Sequence, residues 1–250
     1  MIESVKRMET LTGRNLKEIL RDPISLGFLM GLPLLMEVLF YFIFHNMTAQ
    51  FEMQYLAPGI VVFAQSFTTL FAGLLISLDR GTSFLTRLYV SKTRPYEFIF
   101  SYTLALLPVS LVQSVLFFLV GGLLDTSFFT VRMIPAALLS VLTSFLFIGF
   151  GILFGSLCSE KSIGGAASAV ITGQSVLSGM WFPVEGLSGG FLTVMKVLPF
   201  KNATVLVQNA VNGYTDTWTD MGLPLLIVLG YTVVTFAAAI AVFRHKMKNV

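Results

Sequence analysis

Long blocks without charge set the rhythm of this chain. Residues 53–78, 98–124, 133–159, 162–184 and 221–243 contain no Asp, Glu, Lys or Arg, and 23–44 contains only Glu37. About 20 apolar residues of helix cross a bilayer core, and a charge at its centre costs on the order of 3 kcal/mol on insertion scales. The pattern predicts six transmembrane helices. Ahead of them the periodicity changes. Ile2, Val5, Met8, Leu11 or Thr12, Leu16, Ile19 and Leu20 recur at helical spacing, with Glu3, Lys6, Arg7, Thr10, Arg14, Lys17 and Arg21 largely on the other side. Residues 1–22 therefore read as an amphipathic helix lying in the membrane interface, its basic side toward anionic headgroups. Proline disfavours helical geometry at the residue before it, so Asp22-Pro23 ends this helix. The stretch also lacks the basic-then-apolar layout of a cleavable signal.

Composition sharpens this picture. Charged residues are 12% of the 250 and hydrophobic ones 55%, against about 25% and 45–50% in soluble domains. Six spans and their connections nearly use up the chain, leaving one membrane domain over 23–250 and no room for a soluble catalytic domain. Cys158 is the sole cysteine, so neither an internal disulfide nor a cysteine-rich metal site is expected.

The basic residues orient the spans. Lys6, Arg7, Arg14, Lys17, Arg21, Arg80, Arg87, Lys92, Arg94, Lys161, Arg244, Lys246 and Lys248 fall on the side of the termini, and only Arg132, Lys196 and Lys201 on the other. The positive-inside rule then places both termini in the cytoplasm. Residues 79–97 become a long cytoplasmic loop, with a short apolar helix of Phe84, Leu85, Leu88 and Tyr89 beside Arg87. Such a helix is marginal alone and suits insertion into a groove on another protein, or packing on its own helix ends. Residues 185–220 become an external segment, too apolar for a solvated loop and interrupted by glycine and proline. It reads as re-entrant helices packed on the bundle.

Catalytic motifs fail. The stretch Gly155 to Ser162 resembles a phosphate loop only in its first glycine and its Lys-Ser end, with Glu160 in place of the second glycine and no preceding strand. The two histidines, His45 and His245, lie at span ends, so no buried serine has a base at its depth. No span contains the paired aspartates of an aspartyl protease. Glu37, the one carboxylate within a span, either lines a polar cavity or meets a cationic part of a substrate, or else it hydrogen-bonds a neighbouring helix or is hydrated near the outer interface. Gly151-xxx-Gly155 and Gly164-Gly165 read as helix-packing stripes.

Several segments together resemble a known family. Arg21-Asp22-Pro23 with Pro33, then Tyr55-Leu56-Ala57-Pro58-Gly59, then Asp79-Arg80-Gly81-Thr82 through Arg94-Pro95, and finally Ser178-Gly179-Met180-Trp181-Phe182-Pro183 with Leu198-Pro199-Phe200 follow the order of the membrane subunits of type 2 ABC exporters. Arg80 stands where that family often carries glutamate. The resemblance implies an all-α membrane protein of six transmembrane helices, with a cytoplasmic coupling helix and an external re-entrant hairpin. It implies no cofactor and no metal in this chain, ATP and Mg on a separate ABC ATPase present in two copies, and a homodimer or heterodimer of permeases in the lipid bilayer, with no nucleic acid partner. Phe84, Leu85, Arg87 and Leu88 become the ATPase-coupling residues. Glu37, Gln65, Ser66, Gln174, Ser178, Trp181 and Phe182 become candidates for the transport pathway, with Gln and Ser in a span equally open to helix–helix hydrogen bonding. The expected substrate is a small amphiphile or lipid-like compound. The alternatives are a secondary transporter, which should show inverted repeats or several membrane carboxylates, and an intramembrane enzyme.

Overall fold

The computed structural model describes residues 2–44, 46–81, 94–182, 184, 187 and 189–248. Nine α-helices follow one another in the described residues: α1 Ile2–Leu20, α2 Pro23–Phe44, α3 Met53–Gly81, α4 Pro95–Leu124, α5 Met133–Leu157, α6 Ile163–Leu177, α7 Gly189–Val197, α8 Pro199–Asn212 and α9 Leu223–Lys248. Single 3-10 turns at Ala49–Phe51 and Thr126–Phe128 close the short connections, and a π turn at Trp218–Gly222 leads into α9.

Five of these helices, α2 to α5 and α9 with its preceding turn, are long and apolar enough to cross a bilayer. Their limits follow local chemistry. Pro95 opens α4, where its missing N–H costs nothing, and the Glu97 carboxylate accepts from the Arg94 backbone N–H at 3.1 Å. The Asp22 carboxylate likewise accepts from Ser25 N–H at 3.0 Å and caps α2. Gly213, at φ +90°, stops α8.

The sixth charge-free block, 162–184, is not one helix. Helix α6 stops at Leu177 after 15 residues, a rise of about 22 Å against a hydrocarbon core of about 30 Å. Gly179, at φ +73°, turns the chain where a side chain would be strained. Absence of charge carried no information on this break. Beyond it, α7 and α8 meet at a 75° bend, the broken helical pair expected of the external segment.

Helix α3 is the hub, packed against α2, α4, α5, α6 and α8. Its contact with α5 brings backbone against backbone. A Cβ added to Gly151 would stand 2.6 Å from the Thr69 carbonyl oxygen, and one on Gly155 2.7 Å from that of Gly73. The small-residue stripe read from the sequence thus packs two helices of the same chain, backbone on backbone. Gly164 and Gly165 face open space instead. One apolar core surrounds Leu56–Ala64 of α3, with Phe117, Phe147 and Val207; another, at the α1 end, gathers Ile19, Ile76, Phe98, Tyr102, Ile152 and Phe243.

Candidate functional site

The apolar stripe of α1 meets protein. Ile19 is buried, and Leu11 and Leu16 pack on the second core, which lays α1 along α4. Two of its basic residues, expected to face headgroups, instead reach carboxylates of neighbouring helices. Arg14 grips Asp79 of α3 with two hydrogen bonds, Nη2 to Oδ1 at 2.6 Å and Nη1 to Oδ2 at 2.8 Å. Arg7 grips Glu97 of α4, Nε to Oε2 at 3.2 Å and Nη2 to Oε1 at 3.1 Å.

Both carboxylates are held from further sides. Tyr102 OH donates to Asp79 and Ser4 Oγ donates to Glu97. Arg14 also pairs with Glu18 at 3.0 Å, and Asn15 Nδ2 donates to Ser101 Oγ at 3.2 Å. The hydrogen bonds to Asp79 push the Arg14 guanidinium further above its usual range, and Glu97 does the same for Arg7. Each arginine therefore stays charged at any working pH. Next to Asp79, Arg80 Nη1 donates to the carbonyls of Gly155 at 2.7 Å and Cys158 at 3.0 Å, which fastens the end of α3 to the end of α5.

Asp79 and Glu97 bracket the segment between α3 and α4. The last turn of α3 and the first turn of α4 are thus both locked to one helix, α1. The coupling residues Phe84, Leu85, Arg87 and Leu88 lie outside the described residues. The four residues of the clamp, Arg7, Arg14, Asp79 and Glu97, were missed as a unit by sequence reasoning, because 65 and 90 positions separate the partners. The available signal was the placement of acidic residues at both ends of an otherwise basic loop.

The pathway candidates lie on α2, α3, α6 and the turn that follows α6. Gln65 is buried between α3 and α5, donating to the Ser140 carbonyl at 2.7 Å and accepting from Thr143 Oγ1 at 2.7 Å. Ser66 donates back to the Phe63 carbonyl at 2.6 Å. Gln174 joins α6 to α8 through Thr204 Oγ1 at 2.9 Å, and Ser178 Oγ accepts from Met180 N–H at 3.2 Å. These contacts are those of helix packing. Trp181 stands in an aromatic nest of Phe40 at 4.9 Å, Phe63 at 5.8 Å and Phe51 at 6.4 Å between centroids, with its indole N–H on Ser175 Oγ at 3.0 Å. Phe182 beside it is half-buried. Glu37 is 0% exposed, and neither carboxyl oxygen has a hydrogen-bond partner among the described residues.

The sequence model of the ABC-2 type transporter family matches residues 6–211, from α1 through α8. The chain belongs to the ABC-2 type transporter family. It is a permease subunit and a multi-pass membrane protein; in ABC-2 systems the ATPase activity resides on a separate ABC subunit. No curated protein matches this ABC-2 chain. The matched region takes in the whole clamp, so α1 is an integral part of the ABC-2 domain rather than an added tail.

Proposed function

We propose that this ABC-2 permease subunit exports a small amphiphilic or lipid-like compound across a bacterial plasma membrane, both termini in the cytoplasm. It works as a homodimer or heterodimer with two copies of a separate ATPase that carries ATP and Mg. The basic residues concentrated on the side of the termini support this orientation. Phe84, Leu85, Arg87 and Leu88 enter a groove of the ATPase, and closure of the ATPase pair biases the permease away from its inward-facing arrangement.

One observation carries the reading: the helix ends that flank residues 82–93, at Asp79 and Glu97, are tied by charge-assisted hydrogen bonds to α1, so a push delivered there moves α1, α3 and α4 together. Hydrogen bonds between ionised groups are roughly twice as strong as neutral ones, which suits a joint that transmits force. The test is co-purification of the chain with its ATPase, followed by Phe84→Asp in the reconstituted complex. Substrate-stimulated ATP hydrolysis should vanish while the complex still assembles. Undiminished stimulation would remove Phe84 from the coupling.

A further inference from the structure

Helix α2 carries Pro33 in its middle. Proline has no N–H, so the carbonyl of Leu29, four residues earlier, loses the donor that a continuous helix would supply. In lipid a bare carbonyl is costly, and a proline within a span is tolerated where a neighbouring helix re-satisfies the freed group. Gln113 of α4 does so. Its Nε2 donates to the Leu29 carbonyl at 2.9 Å and, at 3.4 Å, to the Ala64 carbonyl of α3. The side chain is 0% exposed, and its Oε1 has no hydrogen-bond partner among the described residues. Two carbonyls fix which end of the amide faces them, so Gln113 is held there for its donors.

A second proline is answered in the same way. Pro58 frees the Gln54 carbonyl of α3, which accepts from Asn212 Nδ2 at 3.0 Å, and the next carbonyl, Tyr55, accepts from Gln208 Nε2 at 3.0 Å. Two amides of α8 fasten that break. At the α2 break the side-chain donor is Gln113 alone among the described residues.

The two arms of α2 differ in their surroundings. Beyond Pro33, Phe40 packs edge-on against Trp181 at 4.9 Å and Phe44 lies 5.0 Å from Phe51 between centroids. On the α1 side, Phe28 and Leu29 border an apolar cavity of about 200 Å³ whose other wall is Phe67, Phe71 and Leu74 of α3. The buried residues of α2 are Leu29, Pro33 and Glu37, one narrow stripe. Bends in helices concentrate at proline, and here one arm is wedged among rings while the other has room beside it.

We infer that Gln113 is a positioning residue of the transport cycle, the catch on a pivot at Pro33 that sets the angle of the α1-side arm of α2 against α3 and α4. Its part in transport rests on the export reading.

The test is a double-mutant cycle on the full chain in nanodiscs. Gln113→Met keeps the bulk, removes the donors and should lower Tm by roughly 3–6 °C. Pro33→Ala restores the missing N–H, and in that background Gln113→Met should cost less than half as much. Equal losses in both backgrounds, or no loss in either, overturn the pairing. Should Gln113→Met alone fail to fold, recovery of folded protein in the double variant supports it and no recovery overturns it. The pivot is read by spin-label distances between Ile24→Cys and Leu78→Cys, both exposed positions, in a Cys158→Ser background. Gln113→Met should broaden the distribution, and adding Pro33→Ala should narrow it again. In the complex with the ATPase, trapping by ATP and vanadate should shift the distance in otherwise wild-type protein but not in Pro33→Ala. A shift of equal size in both, or none in the wild type, overturns the pivot. A chain that passes the thermal cycle but binds no ATPase refutes the export reading alone, and one that binds its ATPase but shows equal losses refutes the catch alone.

Discussion

Removing the Arg14 side chain is the sharpest probe of the clamp. Asp79 is 5% exposed and would lose two hydrogen bonds of 2.6 and 2.8 Å. Breaking a buried ion pair from one side costs about 3–5 kcal/mol because a charge is left uncompensated. Two features reduce that figure here. Tyr102 still donates to Asp79, and about a third of the Arg14 side chain is exposed, so water already screens the pair. We expect Arg14→Ala to cost about 2 kcal/mol. Asp79→Asn should cost about 1 kcal/mol, since the freed guanidinium retains Glu18 at 3.0 Å and can turn to solvent. The double variant should cost less than the sum by about 1 kcal/mol, because each change removes the same interaction. At roughly 2–4 °C per kcal/mol for a chain of this size, thermal unfolding in detergent should rank wild type, Asp79→Asn and Arg14→Ala in falling order of Tm. Shifts that add to within about 0.5 kcal/mol, or an Asp79→Asn that costs more than Arg14→Ala, would refute the idea that a buried carboxylate anchors α1.

Other expectations follow from single contacts. Arg7→Ala should lower ATP-driven transport in reconstituted vesicles while the ATPase still binds, since Glu97 loses its cation at one end of the 82–93 segment; transport equal to wild type would show the second anchor to be dispensable. Gly151→Val drives a side chain into the Thr69 carbonyl and should cost about 1–3 kcal/mol or more, seen as lost monodisperse protein on size exclusion, whereas Gly164→Ala, facing open space, should be neutral or gain up to about 1 kcal/mol of helix propensity. Trp181→Ala, which empties the ring contacts to Phe40, Phe51 and Phe63, should lower thermal stability by about 3 kcal/mol. Hydrogen bonds from the Ser25 side chain and from its backbone N–H hold the Asp22 carboxyl below its usual range. A depressed folded value contributes stability above the unfolded value near 4 that is lost as pH falls through the folded one. Asp22→Ala should therefore cost about 1 kcal/mol at neutral pH and progressively less below about pH 4, read from Tm against pH.

Helices that cross the membrane were legible because the rule behind them is local: a run without charge and the residues that end it. The amphipathic α1, the α3–α5 glycine stripe and the broken α7–α8 pair came from the same kind of information. What escaped needed tertiary contact. Arg7 and Arg14 look like headgroup ligands in a one-dimensional reading, and only packing α1 on α4 brings them to Glu97 and Asp79. The early end of α6 was hidden because Gly179 and Pro183 sit within a charge-free run, and hydropathy is blind to φ. Glu37 stood out as the lone carboxylate in a span, but its lack of a donor depends on what α3 and α4 put against it. The pairings of Gln65 and Gln174 likewise depend on which helices touch.

The glycines of α5 bear on how such a subunit can change shape. Where two backbones rest on each other, there is no layer of side chains to rearrange, and rotation or sliding between α3 and α5 is blocked by hard-core repulsion. Arg80, hooked onto the last carbonyls of α5, rivets the same two rods at their tips. The pair must travel as a single strut through any working stroke, and the compliant seams must lie where rods meet through flexible side chains, foremost along α2.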